Sequence, residues 1–268
     1  MRGYVLFCGA DIVLPEPYSA GDFPLFEKRP EGKAASFAFG DGEYGSLEIA
    51  EVDAGYLSGA QRMPLRSFIG SASPAGASLA LKARAYAHWV HVTRFCSFCG
   101  APLGGSGGGI PTGLVDRPGI PAEPGDERAM ICAGCGRAHF PRISPAIIVL
   151  VRRGRQMLLA HNAKFPAGRH GLIAGFVDPG ETLEDTVHRE VMEEAGIEIE
   201  APRYVRSQPW PFPDSLMLGF EADYRSGMIR PDGIEIDSLG WYEPERLPDI
   251  PPHGSVARFL IDRFISSL

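Results

Sequence analysis

One stretch constrains this chain more than any other: GFVDPGETLEDTVHREVMEEAGI, from Gly175 to Ile197. Pro179-Gly180 marks a turn. Thr182 suits an N-cap and Gly196 a C-terminal stop, which predicts a helix from about Thr182 to Ala195. Leu183, Val187 and Val191 lie four apart and form its apolar stripe. Beside the stripe, Glu190, Glu193 and Glu194 fall at i, i+3 and i+4 and share a face. Like charges packed this way repel unless a cation sits among them, and hard oxygen donors suit Mg2+ or Mn2+. Arg189, four residues before Glu193, can orient it. Glu181, near the helix start, is favoured by the helix dipole and could supply a further carboxylate. Three glutamates alone would fit a solvated helix better, so the rest of the chain has to decide.

The chain has 268 residues, 44% apolar and 22% charged, enough for a globular protein of more than one domain. Its net charge of −7 argues against broad nonspecific nucleic-acid binding. No apolar run is long enough to span a bilayer, and an acidic residue soon interrupts the short apolar N-terminus. The expectation is a cytoplasmic protein with no membrane partner. Residues 1–92 read as an N-terminal mixed α/β domain, with a strand in EYGSLEIAEV and a helix from Ala77 onward. From Ile143 the texture changes. SPAIIVLVRR and MLLAH read as buried strands, GLIAGFV leads into the glutamate helix, and RYVRSQPW, LMLGFEADYR and GWYEP read as further strands. GSVARFLIDRFIS reads as a closing helix. The fold class is α+β, a sandwich of strands and helices over 143–268.

Between these parts, over 93–142, lie four of the five cysteines. CSFCG and CAGCG are matching turns, each presenting two sulfurs three residues apart and followed by glycine. Cys96, Cys99, Cys132 and Cys135 together make a closed four-thiolate site of the kind that holds structural Zn2+. The separation between the pairs is filled by a Gly/Pro-rich insert whose GGSGGG lacks the strand-to-helix context of a phosphate loop and reads as linker. Cys8 stands alone, without an assigned role. An odd cysteine count without a secretion signal does not suggest a disulfide framework.

SQPWPFPDS, Ser207 to Ser215, is the other unusual stretch. Pro209, Pro211 and Pro213 exclude a helix and disfavour a central strand. Rigid backbone carrying Trp210 and Phe212 offers flat aromatic surface at low entropic cost, which suits a flat ligand.

The pattern G-x5-E-x7-R-E-V-x-E-E-x-G-I, met at Gly175, Glu181, Arg189, Glu190, Val191, Glu193, Glu194, Gly196 and Ile197, is the Nudix box. With the following SQPWPFPxS and the four-cysteine module, the chain resembles the NADH pyrophosphatase branch of the Nudix superfamily. The resemblance is strong from Cys96 onward and weak before it. It implies a Nudix α/β/α sandwich behind a zinc ribbon, and Mg2+- or Mn2+-dependent hydrolysis of NADH or NAD+ to nicotinamide mononucleotide and AMP. Glu190 and Glu194 become metal ligands, and Glu193 or Glu194 handles the proton of the attacking water. The carbonyl of Ala174 and Glu235 match further metal positions. The dinucleotide pocket takes Ser207, Gln208, Pro209, Trp210, Pro211, Phe212, Pro213 and Ser215, with Phe176 and Phe140 as stacking rings. Glu127, Glu235, Ala257 and Arg66 match substrate contacts. The family also implies a homodimer.

A close variant of the same chemistry acts on NAD-capped RNA 5′ ends, and the pocket could be identical. A Nudix enzyme for ADP-ribose or dinucleoside polyphosphates is the enzymatic alternative, against which SQPWPFPDS argues. A noncatalytic NAD-sensing module would be favoured by degraded box glutamates, and these are intact. Nucleic-acid binding through the ribbon is disfavoured by its few basic residues.

Overall fold

A computed structural model describes residues 3–19, 21–28, 35–39, 42–48, 59–103 and 129–268. The expected linker GGSGGG, the tail of the strand in EYGSLEIAEV and Glu127 lie outside the described residues. The chain divides into two units, Met1–Arg142 and Ile143–Leu268.

In the first unit, strands β1 (Tyr4–Cys8), β2 (Asp11–Leu14), β3 (Ala35–Phe39), β4 (Gly42–Glu48) and β5 (Gln61–Pro64) form a sheet of order β3-β4-β1-β2-β5. Helices α1 (Leu65–Ser71) and α2 (Pro74–Val92) follow. The second begins three residues before the expected Ala77. Ser73 caps it by accepting from the Gly76 amide, and Pro74 occupies the first turn, where a missing N–H costs nothing. Then come the two cysteine turns and a small hairpin of β6 (Met130–Ile131) and β7 (Ala138–His139).

The second unit is built on a sheet of order β11-β12-β8-β9-β13, with β10 paired to β8. Its strands are β8 (Ser144–Arg153), β9 (Gln156–Asn162), β10 (Ile173–Phe176), β11 (Glu198–Trp210), β12 (Ser215–Ser226) and β13 (Ile236–Tyr242). Helix α3 spans Leu183–Ala195 and α4 spans Val256–Ser266. The apolar run of β8 is continuous because both its faces are covered. Ile147, Val149 and Val151 pack with Val187, Val191 and Ala195 of α3. Ile148 and Leu150 point the other way, to Val256, Ala257, Leu260 and Ile261 of α4. This is the helix–sheet–helix sandwich of a mixed α/β fold.

The proline stretch joins this sheet. Ser207 to Trp210 end β11, pairing with Leu218 to Ser215 of β12, and Pro211 to Asp214 make the turn between them. β11 is an edge strand, with a ladder partner on one side alone, which is where a sheet tolerates proline.

Candidate active site

Helix α3 starts and stops as its sequence dictates. The Thr182 hydroxyl accepts from the Asp185 amide, and Gly196 adopts a left-handed φ of 69°. Burial of Val187 and Val191 fixes the helix's rotation, and that rotation separates the three glutamates. Glu190 and Glu194 turn inward and are 8% and 7% exposed, whereas the Glu193 side chain is 59% exposed. The expected shared face is therefore a buried pair with an outer third carboxylate.

The inward pair meets β10. A Cβ on Gly175 would lie 1.9 Å from Glu190 Oε1 and 2.0 Å from its carboxyl carbon, so only glycine leaves room for that carboxylate. Arg189 locks the arrangement. Its guanidinium grips Glu181 through Nε (2.7 Å) and Nη2 (2.9 Å). It also donates from Nη1 to Glu190 (2.8 Å) and Glu193 (3.1 Å), and from Nη2 to the carbonyl of Phe176 (2.9 Å). Arg189 thus orients more than Glu193. Glu181, expected as a spare carboxylate, is committed elsewhere: it also accepts from the Thr186 hydroxyl (2.9 Å) and the Asp178 amide (3.1 Å). The Arg189 hydrogen bonds hold its pKa down to about 2.

The buried pair is pushed the other way. Burial raises the Glu190 carboxyl against the pull of Arg189, with Glu193 and Glu235 adding repulsion. Burial, followed by the charges of Glu190, Glu235 and Asp232, lifts Glu194 to about 8, opposed by the Ala174 backbone. Glu235, remote in sequence, thus lies within electrostatic reach of both. This is a set of hard oxygen donors whose charges repel, an environment a divalent cation relieves. The carboxylates are not drawn together as tightly as the thiolates. Among the described residues, Cys96, Cys99, Cys132 and Cys135 are the one group of three or more such side chains whose ligand atoms all lie within 4.8 Å of one another.

The structure distributes the remaining site residues unevenly. Phe176, at the end of β10, is 56% exposed. The rings of Trp210 and Phe212 are tilted by 57° with centroids 4.9 Å apart, and Ser215 is buried at the start of β12. Gln208 is occupied within the protein: Nε2 donates to the Gly254 carbonyl and Oε1 accepts from the Val256 amide, both at 2.7 Å. It thereby holds the entry to α4, on which Ala257 is 9% exposed in the core. Pro209, Pro211 and Pro213 shape the strand end and turn. Phe140, 57% exposed, and Arg66, at the start of α1, belong to the first unit.

In that unit the two cysteine turns are near copies. Gly100 N bonds to Cys96 O (2.9 Å) and Gly136 N to Cys132 O (2.7 Å), and both glycines take left-handed φ, 72° and 68°. His139 Nε2 lies 3.3 Å from Cys96 Sγ, and the Arg137 guanidinium sits 3.7 Å above the Phe98 ring, tying one turn to the other. Sequence reading missed His139, Asp232 and the internal role of Gln208. An Asp-Gly pair before Glu235 was the available signal for Asp232.

The NUDIX domain family matches residues 141–264. An NAD-capped RNA hydrolase NudC of Stutzerimonas stutzeri is 40% identical over 78% of this chain and 70% of its own length. This chain belongs to the Nudix hydrolases, in the NADH pyrophosphatase branch. A second NAD-capped RNA hydrolase NudC, from Chromobacterium violaceum, is 42% identical over 74% of this chain and 68% of its own length. Among solved structures, a NUDIX hydrolase from Nitrosomonas europaea superposes with a TM-score of 0.50 at 22% identity, covering 65% of this chain and 91% of its own, a likeness of fold. As a Nudix protein the chain is expected to work with a divalent metal. No helix among the described residues is long and apolar enough to cross a membrane.

Proposed function

We propose that the chain is a metal-dependent NAD(H) diphosphatase. It hydrolyses the pyrophosphate of NADH or NAD+ to nicotinamide mononucleotide and AMP, and by the same cleavage removes NAD caps from RNA 5′ ends. The observation that carries this reading is the intact buried pair of Glu190, held by Arg189, and Glu194, in a chain 40% identical to a NAD-capped RNA hydrolase.

Glu190, Glu194, Glu235 and the carbonyl of Ala174 would hold Mg2+ or Mn2+. Such an ion supplies charge neutralisation at the phosphates and a more acidic attacking water. Glu193 or Glu194 receives that water's proton. Glu194 is buried with its pKa near 8, while Glu193 is exposed and held by Arg189. Arg189 keeps Glu190 and Glu193 in register. Phe176 offers an exposed face for the nicotinamide ring, and Phe140 is the second stacking ring that the family resemblance implies. Trp210, Phe212 and the surrounding Pro209, Pro211 and Pro213 shape the pocket rim with Ser207 and Ser215. Gln208 serves the pocket through α4 and Ala257. Glu127 and Arg66 complete the substrate contacts. Zn2+ on the four cysteines is structural, since no coordination position remains for substrate. The organisation is an N-terminal domain (1–92), a zinc ribbon (93–142) and a Nudix domain (143–268), in a cytoplasmic homodimer.

The test is product analysis by chromatography with Mg2+ and NADH, NAD+, ADP-ribose and an NAD-capped RNA, using Glu194→Gln as control. AMP and reduced nicotinamide mononucleotide from NADH, absent in the variant, support the reading. Preference for the capped RNA makes decapping its main work. Cleavage of ADP-ribose alone would overturn the role given to SQPWPFPDS, and binding of NADH without cleavage would favour a sensing module.

A further inference from the structure

Glu235, whose carboxylate lies 4.0 Å from Lys164 Nζ, bears electrostatically on Glu190 and Glu194 from a separate segment, the turn that enters β13. That turn has little apolar packing to shape it. Asp232, Gly233, Ile234 and Glu235 are exposed, Ile234 at 85%, and only Ile236 is anchored in the core, at 4%. One side chain organises it instead. Asp232 Oδ1 accepts from three successive amides, Ile234 (3.0 Å), Glu235 (3.1 Å) and Ile236 (2.8 Å), and Oδ2 lies 3.3 Å from the Glu235 amide. Gly233 closes the turn with a φ of 72° and a bond from its amide to the Ile236 carbonyl (3.0 Å). On the far side, the Glu235 carbonyl accepts from the Ala163 amide (3.0 Å). The Glu235 backbone is thus held at both polar groups, its N–H by Asp232 and its C=O by β9's following loop.

We propose that Asp232 is a positioning residue that fixes Glu235 against Glu190 and Glu194 for divalent-cation binding. The inference rests on Glu235 being a ligand, as in the reading above. Asp232 acts through the turn. Its Oδ1 carries three backbone donors, so the hydrogen bonding of its carboxylate is directed at the turn. An aspartate in this role is replaceable by asparagine, whose side-chain oxygen can accept the same amides, and not by alanine, which leaves them unpaired.

The experiment measures Mn2+ binding to the full chain without substrate, from the free-Mn2+ paramagnetic signal, together with amide hydrogen exchange over 232–238. It compares Asp232→Ala, Asp232→Asn, Glu235→Gln and the Asp232→Ala/Glu235→Gln double variant. The expected result is Mn2+ affinity about tenfold lower in Asp232→Ala and in Glu235→Gln, the scale of losses seen when a group orienting a ligand is removed. The double variant should be no weaker than Glu235→Gln, Asp232→Asn should stay within about twofold of wild type, and exchange at Ile234, Glu235 and Ile236 should speed up only with alanine. Wild-type affinity in Asp232→Ala beside a weakened Glu235→Gln would overturn the proposal alone. So would additive losses in the double variant, which would make Asp232 a ligand itself. Unchanged binding in Glu235→Gln would instead remove the ligand role of Glu235, and the proposal with it.

Discussion

Replacing Glu194 with glutamine tests the electrostatics of the site directly. The carboxyl is 7% exposed and its pKa is raised from 4.5 to about 8, first by burial and then by Glu190, Glu235 and Asp232. A carboxyl with a higher pKa in the folded than in the unfolded chain lowers stability as pH rises. Below its unfolded pKa both states are protonated and there is no penalty. The penalty grows between 4.5 and about 8 and is complete above. At about 1.4 kcal/mol for each unit, its ceiling is about 5 kcal/mol. Relaxation and water entry reduce such costs, leaving about 2 kcal/mol. Glutamine has the same shape and no charge. In EDTA near pH 8, Glu194→Gln should therefore melt higher than wild type, by about 6–10 °C for a unit of this size. Near pH 5 the gap should close towards zero, with a midpoint that belongs to the Glu190–Glu194 pair as a whole. Millimolar Mg2+ or Mn2+ should then raise the wild-type melting temperature and leave the variant nearly unmoved, reversing the order at pH 8. Differential scanning calorimetry in the two buffers reads all of this. A wild type that melts no lower than the variant in EDTA, or a gap that ignores pH, would refute the repelling buried pair.

Two further outcomes follow from the geometry. Gly175→Ala places a methyl 1.9 Å from Glu190 Oε1, and that carboxylate is held by Arg189, so the side chain must leave its seat. Turnover of NADH should fall about 100-fold, the scale expected when a catalytic group moves by about 1 Å, with the circular dichroism spectrum unchanged; normal turnover would show that the close approach is irrelevant. Cys96→Ser should lower zinc content, read by a colorimetric chelator assay after denaturation, and sharpen protease sensitivity of the first unit, because metal binding to such a cluster is part of folding. Stoichiometric zinc in the variant would argue that His139, 3.3 Å from Cys96 Sγ, takes the vacated position.

Much of the site could be read along the chain because its signals are local. The caps at Thr182 and Gly196, the stripe through Val187 and Val191, and the paired cysteine turns each depend on residues a few positions apart. What escaped depends on elements distant in sequence. The separation of Glu193 from Glu190 and Glu194 is set by how α3 rolls onto β10 and β8, which helical spacing alone does not specify. Glu181 looked available because its partners, Arg189 above all, are chosen by side-chain packing and not by the helix dipole. The prolines of SQPWPFPDS were legible as rigidity, but the place of Pro209 in a strand depended on β11 falling at the sheet edge. Glu235 and Asp232 approach α3 only once β13 has paired with β9, an antiparallel match made from opposite ends of the second unit.

That edge has a consequence for how copies of the chain behave when crowded. An open sheet margin invites another strand to continue the ladder, and fibrous aggregates grow this way. β11 offers a poor template. Pro202 and Pro209 have no amide to give, and register shifts at Glu198/Ile199, Glu200/Arg203 and Tyr204/Arg206 bend its line. Glu198, Glu200, Arg203 and Arg206 add charge along it. Pro209 of the proline stretch thus adds to what makes this edge a poor start for ladder-to-ladder growth.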